Sequence, residues 1–229
     1  MKRIGILGGV SAESTVSYYQ TITREYIRRH GHAGYPEIII YSVSFAEYAD
    51  LQHAGRWDEL ADRMVKAFRA LARAGAELGL IAANTLHTVF DRVATRSPIP
   101  LISIVDATAQ AVAESGLTTV GLLGTRFTME KGFFRHGLAR YGIGALVPEP
   151  EERELIHRVI YKELVHGEIR DESRRQVLKV IERLAHRGAQ GVILGCTELP
   201  LLVRPGDTQL PTFDTARIHA LAALEAAET

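Results

Sequence analysis

The feature that most constrains this chain is its rhythm: short apolar runs recur along the sequence, separated by longer amphipathic stretches. Arg3–Leu7 (RIGIL), Glu37–Val43 (EIIIYSV) and Leu78–Ala82 (LGLIA) open the series. Leu101–Ile104, Thr119–Leu123, Ala145–Pro148 and Gly191–Gly195 continue it. Near-continuous Val/Ile/Leu runs suit parallel strands covered on both faces. Between them, Ser14–Arg29, Trp57–Ala74, Asp106–Ser115, Met129–Tyr141, Glu151–His166 and Ser173–Arg187 show helical spacing. Strand alternating with helix predicts an α/β protein with parallel sheet.

The rhythm also repeats. Ile81-Ala82-Ala83-Asn84-Thr85 follows a strand and opens a helical stretch, and Leu194-Gly195-Cys196-Thr197-Glu198 does the same about half a chain later. Downstream of each copy comes a Pro-led strand ending in Asp, first Pro100 to Asp106 and then Pro211 to Asp214. The opening Gly5-Ile6-Leu7-Gly8-Gly9 is echoed by Gly121-Leu122-Leu123-Gly124-Thr125. These echoes predict two pseudo-symmetric open parallel-sheet α/β halves facing one another, with the active site in the cleft between them. The expected boundaries put residues 1–98 and 212–229 in an N-terminal half and residues 99–211 in a C-terminal half.

Composition narrows the function. The 229 residues are 46% hydrophobic, enough to bury a substantial core. Lys+Arg and Asp+Glu balance at 27 each, and no basic stripe or charged tail suggests nucleic acid as a partner. An anionic substrate must then be held by local donors, because the overall field is weak. The first apolar run stops at Gly8 and Gly9, too soon for a signal segment or membrane span, so a cytoplasmic protein without a membrane partner is expected. A single cysteine excludes an internal disulfide and a Cys-rich zinc site.

Ligands of open parallel sheets bind at the carboxyl ends of the strands. Strand ends here carry Gly8-Gly9-Val10-Ser11, Ala83-Asn84-Thr85, Gly124-Thr125 and Gly195-Cys196-Thr197, small and hydroxylated residues placed before helices. Free backbone N–H groups and the helix dipole favour an anion there. For any one Ser, Thr or Asn the plainer role is a helix N-cap. Cys196 is either a buried strand-end thiol or an acid/base whose pKa a helix N-terminus lowers from about 8.5. The sequence context, Gly195-Cys196-Thr197-Glu198 after an apolar strand, favours the catalytic role. No metal pattern is present; His30 and His32 sit in an expected turn, and neither a P-loop nor a dinucleotide fingerprint fits. Tyr48, Gln52, His53 and Arg56 form either a lid or a surface helix, and Lys162 or His166 is placed to meet a substrate carboxylate or simply to face solvent.

Taken together, GILGGVSAEST, IAANTLHTVFDRV and GVILGCTELPLL, with GLLGTRFT and FDTARIHA, resemble the aspartate/glutamate racemase superfamily over essentially the whole chain. The resemblance implies catalysis without pyridoxal phosphate or metal, on a small amino-acid dicarboxylate, in a homodimer. It implies two acid/base residues, usually cysteines, on opposite faces of the substrate α-carbon. Cys196 matches the second cysteine; Asn84, Thr85 and Thr197 match carboxylate-holding positions, and Gly9, Val10 and Ser11 the first loop. Gln52, Thr125, Lys162 and Glu198 complete the expected binding residues.

The chain departs from the family at Ala83, which stands where the first cysteine usually is and can move no proton. It also has Gln52 where an arginine is usual near the second strand. Ala83 marks an introduced replacement, a natural one-cysteine enzyme, or a protein that only binds. The leading expectation is a racemase of aspartate or glutamate. The alternatives are a one-cysteine decarboxylase or isomerase of the same superfamily and an inactive dicarboxylate binder.

Overall fold

A computed structural model describes residues 1–229. The chain forms two compact units, Met1–Ile104 with Ala216–Thr229, and Val105–Thr215. No helix is long and apolar enough to cross a membrane.

In the first unit, β1 (Ile4–Gly8), β2 (Ile38–Ser42), β3 (Leu78–Ile81) and β4 (Leu101–Ile102) make a parallel sheet in the order β2-β1-β3-β4. Side chains alternate across a strand, so the apolar runs feed two cores. Leu7 and Ile81 pack with Leu60, Met64, Phe68 and Leu71 of α3 (Trp57–Arg73). Ile4, Ile6, Leu78 and Leu80 pack with Tyr18 and Ile22 of α1 (Ala12–His30), and with Ala220, Ala223 and Leu224 of the C-terminal helix Thr215–Glu228. Two further helices, α2 (Phe45–His53) and α4 (Phe90–Ala94), complete this unit.

The second unit repeats the plan. Its strands β5 (Thr119–Gly124), β6 (Gly144–Leu146), β7 (Val192–Gly195) and β8 (Thr212–Asp214) are parallel, in the order β6-β5-β7-β8. Strand for strand this is the order of the first sheet, as the sequence echoes predict. Its helices are α5 (Ile104–Glu114), α6 (Arg126–Glu130), α7 (Phe133–Ala139), α8 (Pro150–Lys162), α9 (Asp171–His186) and α10 (Leu199–Leu202). Leu123 and Leu194 pack with Ile156 and Ile160 of α8, and with Val177, Ile181 and Leu184 of α9.

Three details differ from the sequence reading. Met129–Tyr141 is two helices, because Gly132 adopts φ +81° at the start of α7. Glu151–His166 ends its α-helix at Lys162 and continues as a 3-10 turn, Leu164–His166. The boundaries expected after residues 98 and 211 fall just before β4 and β8, yet β4 pairs with β3 and β8 with β7. Each short strand thus closes the sheet of the unit that precedes it, and only Ala216–Thr229 returns to the first unit.

Two buried histidines lock the first unit. His87 Nδ1 donates to the Ala83 carbonyl at 2.8 Å, and its Nε2 accepts from the Ile104 N–H at 3.1 Å. His219 Nε2 donates to the Ile102 carbonyl at 2.9 Å, and its Nδ1 accepts from the Tyr18 hydroxyl at 2.9 Å. An amide only donates, so the His87 ring is neutral with a defined tautomer; for His219 the hydroxyl partner can donate or accept, and it is burial that favours the neutral ring, with the Tyr18 hydroxyl as donor. Burial pushes His87 down to about 3, helped by the nearby His219, and burial pushes His219 down to about 4. Both folded values lie below the ordinary 6.5. The unfolded chain therefore binds more protons below that pH, so stability is full above about 6.5 and falls as pH drops towards 4. The limiting slope is about 1.4 kcal/mol per pH unit for each histidine. Glu25, held down to about 2 by hydrogen bonds from Arg28 and Arg29, titrates only below this window. Urea unfolding between pH 7.5 and 4.5 should show stability declining below pH 6.5; a flat profile would contradict the neutral histidine pair.

Candidate active-site loops

The loops at the carboxyl ends of the first sheet are tied to one another by side chains. After β1, Gly9 takes φ +90°, and a Cβ there would lie 2.3 Å from the Val43 carbonyl oxygen. Only glycine fits both the backbone angle and the approach of the chain leaving β2. The Gly9 N–H donates to Thr15 Oγ1 at 2.8 Å, and that hydroxyl donates to the Ser11 carbonyl at 2.9 Å. Ser11 Oγ accepts from the Ser14 N–H at 3.4 Å and so caps α1, the plainer of its two expected roles. Ser14 Oγ then donates to the Ala82 carbonyl at 2.8 Å. Together with His87 on the Ala83 carbonyl, this fixes the exit from β3 by two successive backbone oxygens.

Ala83, Asn84 and Thr85 are buried at that exit, and Asn84 precedes a 3-10 turn, Thr85–Val89. Val10, Tyr48 and Ala83 belong to one apolar cluster. The segment read as lid or surface helix is α2, and it divides. Tyr48 and Gln52, one turn apart, are buried, whereas His53 and Arg56 are exposed and Arg56 pairs with Glu59. Burial also pushes the Tyr48 phenol up to about 12.

The second unit carries the corresponding loops. Thr125 Oγ1 accepts from the Thr128 N–H at 3.3 Å and caps α6. After β7 come Cys196, Thr197 and Glu198, with Cys196 8% and Glu198 5% exposed, so the thiol and carboxylate are both withdrawn from solvent. The Cys196 thiol donates to Glu198 Oε2 at 2.9 Å, and the Thr197 hydroxyl donates to the same oxygen at 2.7 Å. Ala83 is the second residue after β3 and Cys196 the first after β7, the third strand of each sheet.

The electrostatics of Cys196 reverse the sequence expectation. Its thiol is raised well above the ordinary range, first by burial and then by the charge and hydrogen bond of Glu198. The Glu198 and Leu199 amides do pull the other way, as a helix start should, but they are outweighed. The following helix α10 is only four residues long, and its N-cap is Glu198 rather than Cys196. Cys196 therefore rests as a protonated thiol, a proton donor in its ground state.

Sequence reasoning missed Tyr161 and His157. Tyr161 packs against the cluster that contains Cys196. Burial, with a smaller electrostatic contribution from Cys196 and Glu198, pushes its phenol up to about 12. His157 lies one turn earlier on α8, its ring 4.6 Å from that of Tyr161, and its Nδ1 accepts from the Arg126 N–H at 3.3 Å. Their four-residue spacing beside Lys162 was the available signal. Lys162 and His166 themselves are exposed. No group of three or more His, Cys, Asp or Glu residues is arranged to hold a metal ion.

Parallel α/β units with small, hydroxylated loops and a buried thiol at one strand end match a known class. The chain belongs to the Asp/Glu/hydantoin racemase family, which it matches over residues 7–223. A candidate Asp/Glu racemase from Yersinia pestis is 42% identical, covers all of both chains and superposes with a TM-score of 0.93. An aspartate racemase homologue from Pyrococcus horikoshii is 40% identical, again over all of both chains, with a TM-score of 0.87. A glutamate racemase from Deinococcus radiodurans is 29% identical over 162 residues, 69% of this chain but 54% of that protein. Glutamate racemases are isomerases.

Replacing Gly9 with alanine should destabilise the first unit by about 1–3 kcal/mol from the backbone angle alone, more with the Val43 contact. The urea midpoint measures the loss, and an unchanged midpoint would contradict the loop geometry.

Proposed function

We propose that this chain is a cofactor-independent enzyme of the racemase type acting on aspartate or glutamate, with Cys196 exchanging the α-proton on one face of the substrate. The observation that carries the reading is the buried Cys196 thiol at the end of β7, hydrogen-bonded at 2.9 Å to a carboxylate. Family membership supports the reaction class. Glutamate is suggested by the Deinococcus relative and aspartate by the Pyrococcus homologue.

In this reading the thiolate of Cys196 takes the α-proton, forming an S–H bond as the C–H bond breaks, and the thiol returns a proton to the same face. Asn84, Thr85, Thr125 and Thr197 are proposed amide and hydroxyl donors to carboxylate oxygens. Gly9, Val10 and Ser11 shape the first loop, while Gln52 and Lys162 are proposed substrate contacts. Inversion needs a second acid/base, and the methyl group at Ala83 supplies none. A cytoplasmic homodimer belongs to the same reading, and sedimentation tests the dimer.

A second reading is favoured by the same alanine together with the resting thiol. A decarboxylase generates its enediolate by losing CO2 and then needs only one proton donor. CO2 release from malonate-type acids, abolished by Cys196→Ser, would select this reading; its absence would remove it.

The racemase reading is tested by NMR of α-proton exchange in D2O, with each enantiomer of aspartate and glutamate. Exchange without inversion from one enantiomer is expected. Cys196→Ser should lower it by at least 100-fold, on the order of a general acid/base contribution, and Ala83→Cys should bring inversion. Exchange undiminished in Cys196→Ser would overturn the assignment.

A further inference from the structure

We propose that the open edge of the first sheet, strand β2, is where two copies of this chain join: β2 pairs antiparallel with β2 of a second copy, about a two-fold axis at Ile40. The inference deepens the homodimer proposed with the racemase reading and rests on it for the existence of a dimer. The choice of surface does not rest on the reaction.

An open edge strand is a template for pairing, and folded proteins blunt such edges by shortness, proline or charge. Three of the four sheet edges here follow that rule. β4 and β8 begin directly after Pro100 and Pro211 and are two and three residues long, and β6 is three residues long. The edge strand β2 is five residues, Ile38-Ile39-Ile40-Tyr41-Ser42, with neither charge nor proline. The Glu37 carbonyl and the Val43 N–H both bond to β1. At the two-residue period of a strand, the N–H and C=O groups of Ile38, Ile40 and Ser42 therefore face away from the sheet. The surface around them is apolar. Of the ten large hydrophobic residues that the chain exposes, six lie between Val16 and Tyr41, with Ile40 42% and Tyr41 44% exposed on β2 itself. The C-terminal helix covers the β4 side of this face, where His219 bonds to Ile102, and α1 turns Ser17, Thr21 and Arg24 towards Arg217 of that helix. Tyr19 lies on the opposite flank of α1, on the β2 side, and Val16 and Ile27 extend the apolar surface outward along the helix.

A second copy fits this edge in hydrogen bonding and in charge. With the axis at Ile40, that residue exchanges both backbone bonds with its symmetry mate, and Ile38 does the same with Ser42 of the other copy. Every outward N–H and C=O of β2 is then paired. On the α3 face, where Ile39 and Val43 pack, Ile39 of one copy lies opposite Tyr41 of the other. Glu37 is on that same face at one end of the strand, two residues before Ile39. Lys66 of α3 is at the other end, in one groove with Tyr41 and Val43. Glu37 and Lys66 are both exposed, and neither forms an ion pair within the chain. The two-fold axis sets Glu37 opposite Val43 of the other copy and so beside its Lys66, once on each side of the axis. The chain carries no net charge, so the copies do not repel. An extended peptide of a single charge would match only one end of the strand.

The test is the dimer dissociation constant, measured by sedimentation equilibrium on the full chain. The native protein should sediment as a dimer within a range of about 1–100 µM. Ile40→Lys sets two like charges side by side at the axis and should weaken the dimer about 100-fold or more. Glu37→Lys and Lys66→Glu should each weaken it about tenfold, and the two changes combined in one chain should recover most of that loss, which damage to the fold would not do. Tyr141→Lys, at an exposed aromatic away from this surface, should leave the constant unchanged. Circular dichroism establishes that each variant is folded, and should Ile40→Lys fail to fold, the charge exchange carries the test, because both of its positions are exposed. A monomeric native protein overturns the proposal, as does a dimer that Ile40→Lys leaves within about threefold, or one that Tyr141→Lys weakens as much. Failure of the doubly exchanged chain to recover overturns it too. A native dimer without α-proton exchange refutes the racemase reading and leaves the interface standing; exchange by a monomer refutes the interface and leaves the reaction standing.

Discussion

The structure depends on central strands that are buried along nearly their whole length. β1 is covered on both faces, and β5 is buried from Val120 to Gly124. A strand in this position has no polar outlet along its length, and its backbone groups are satisfied only by parallel neighbours. Polar or reactive side chains are therefore excluded from these strands, and several lie where the chain leaves the sheet. The clustering of Ser11, Thr125, Cys196 and Glu198 at strand ends follows from that exclusion as much as from any demand of catalysis.

Much of the fold was legible because parallel strands advertise themselves. The apolar runs EIIIYSV and GVILG each contain an observed strand, RIGIL covers all of β1 but its last residue, and the echo between IAANT and LGCTE marks the third strand of each sheet. What escaped lay where local signals are weak. α2 carries little amphipathic contrast, so its helical character was ambiguous, although Tyr48 and Gln52 are buried on it. The strands β4 and β8 are two and three residues long, too short for a pattern to show which sheet they close.

The reactive loops were legible in identity but not in electrostatics. The position of Cys196 at a strand end followed from the sequence, as did the capping chemistry of Ser11 and Thr125. The direction of the thiol's pKa did not, because it turns on burial and on which way the Glu198 side chain folds back. A carboxylate two residues along a turn can face solvent or the sulfur, and only three-dimensional packing decides. Tyr161 was hidden for a related reason: its partnership with Cys196 joins residues distant in sequence, and no periodicity encodes it.

The C-terminal helix gives the order of synthesis a structural meaning. Ala220, Ala223 and Leu224 cover part of the face formed by Ile4, Ile6, Leu78 and Leu80, beside Tyr18 and Ile22 of α1. As the chain leaves the ribosome from its N-terminal end, that face is made early but cannot be fully covered until all of Val105–Thr215 has been translated. The nascent first unit thus presents a half-clad apolar sheet through the production of the second. His219 arrives with the last helix and supplies the partners for the Tyr18 hydroxyl and the Ile102 carbonyl. Strand β1 precedes by some two hundred residues the helix that completes its cover.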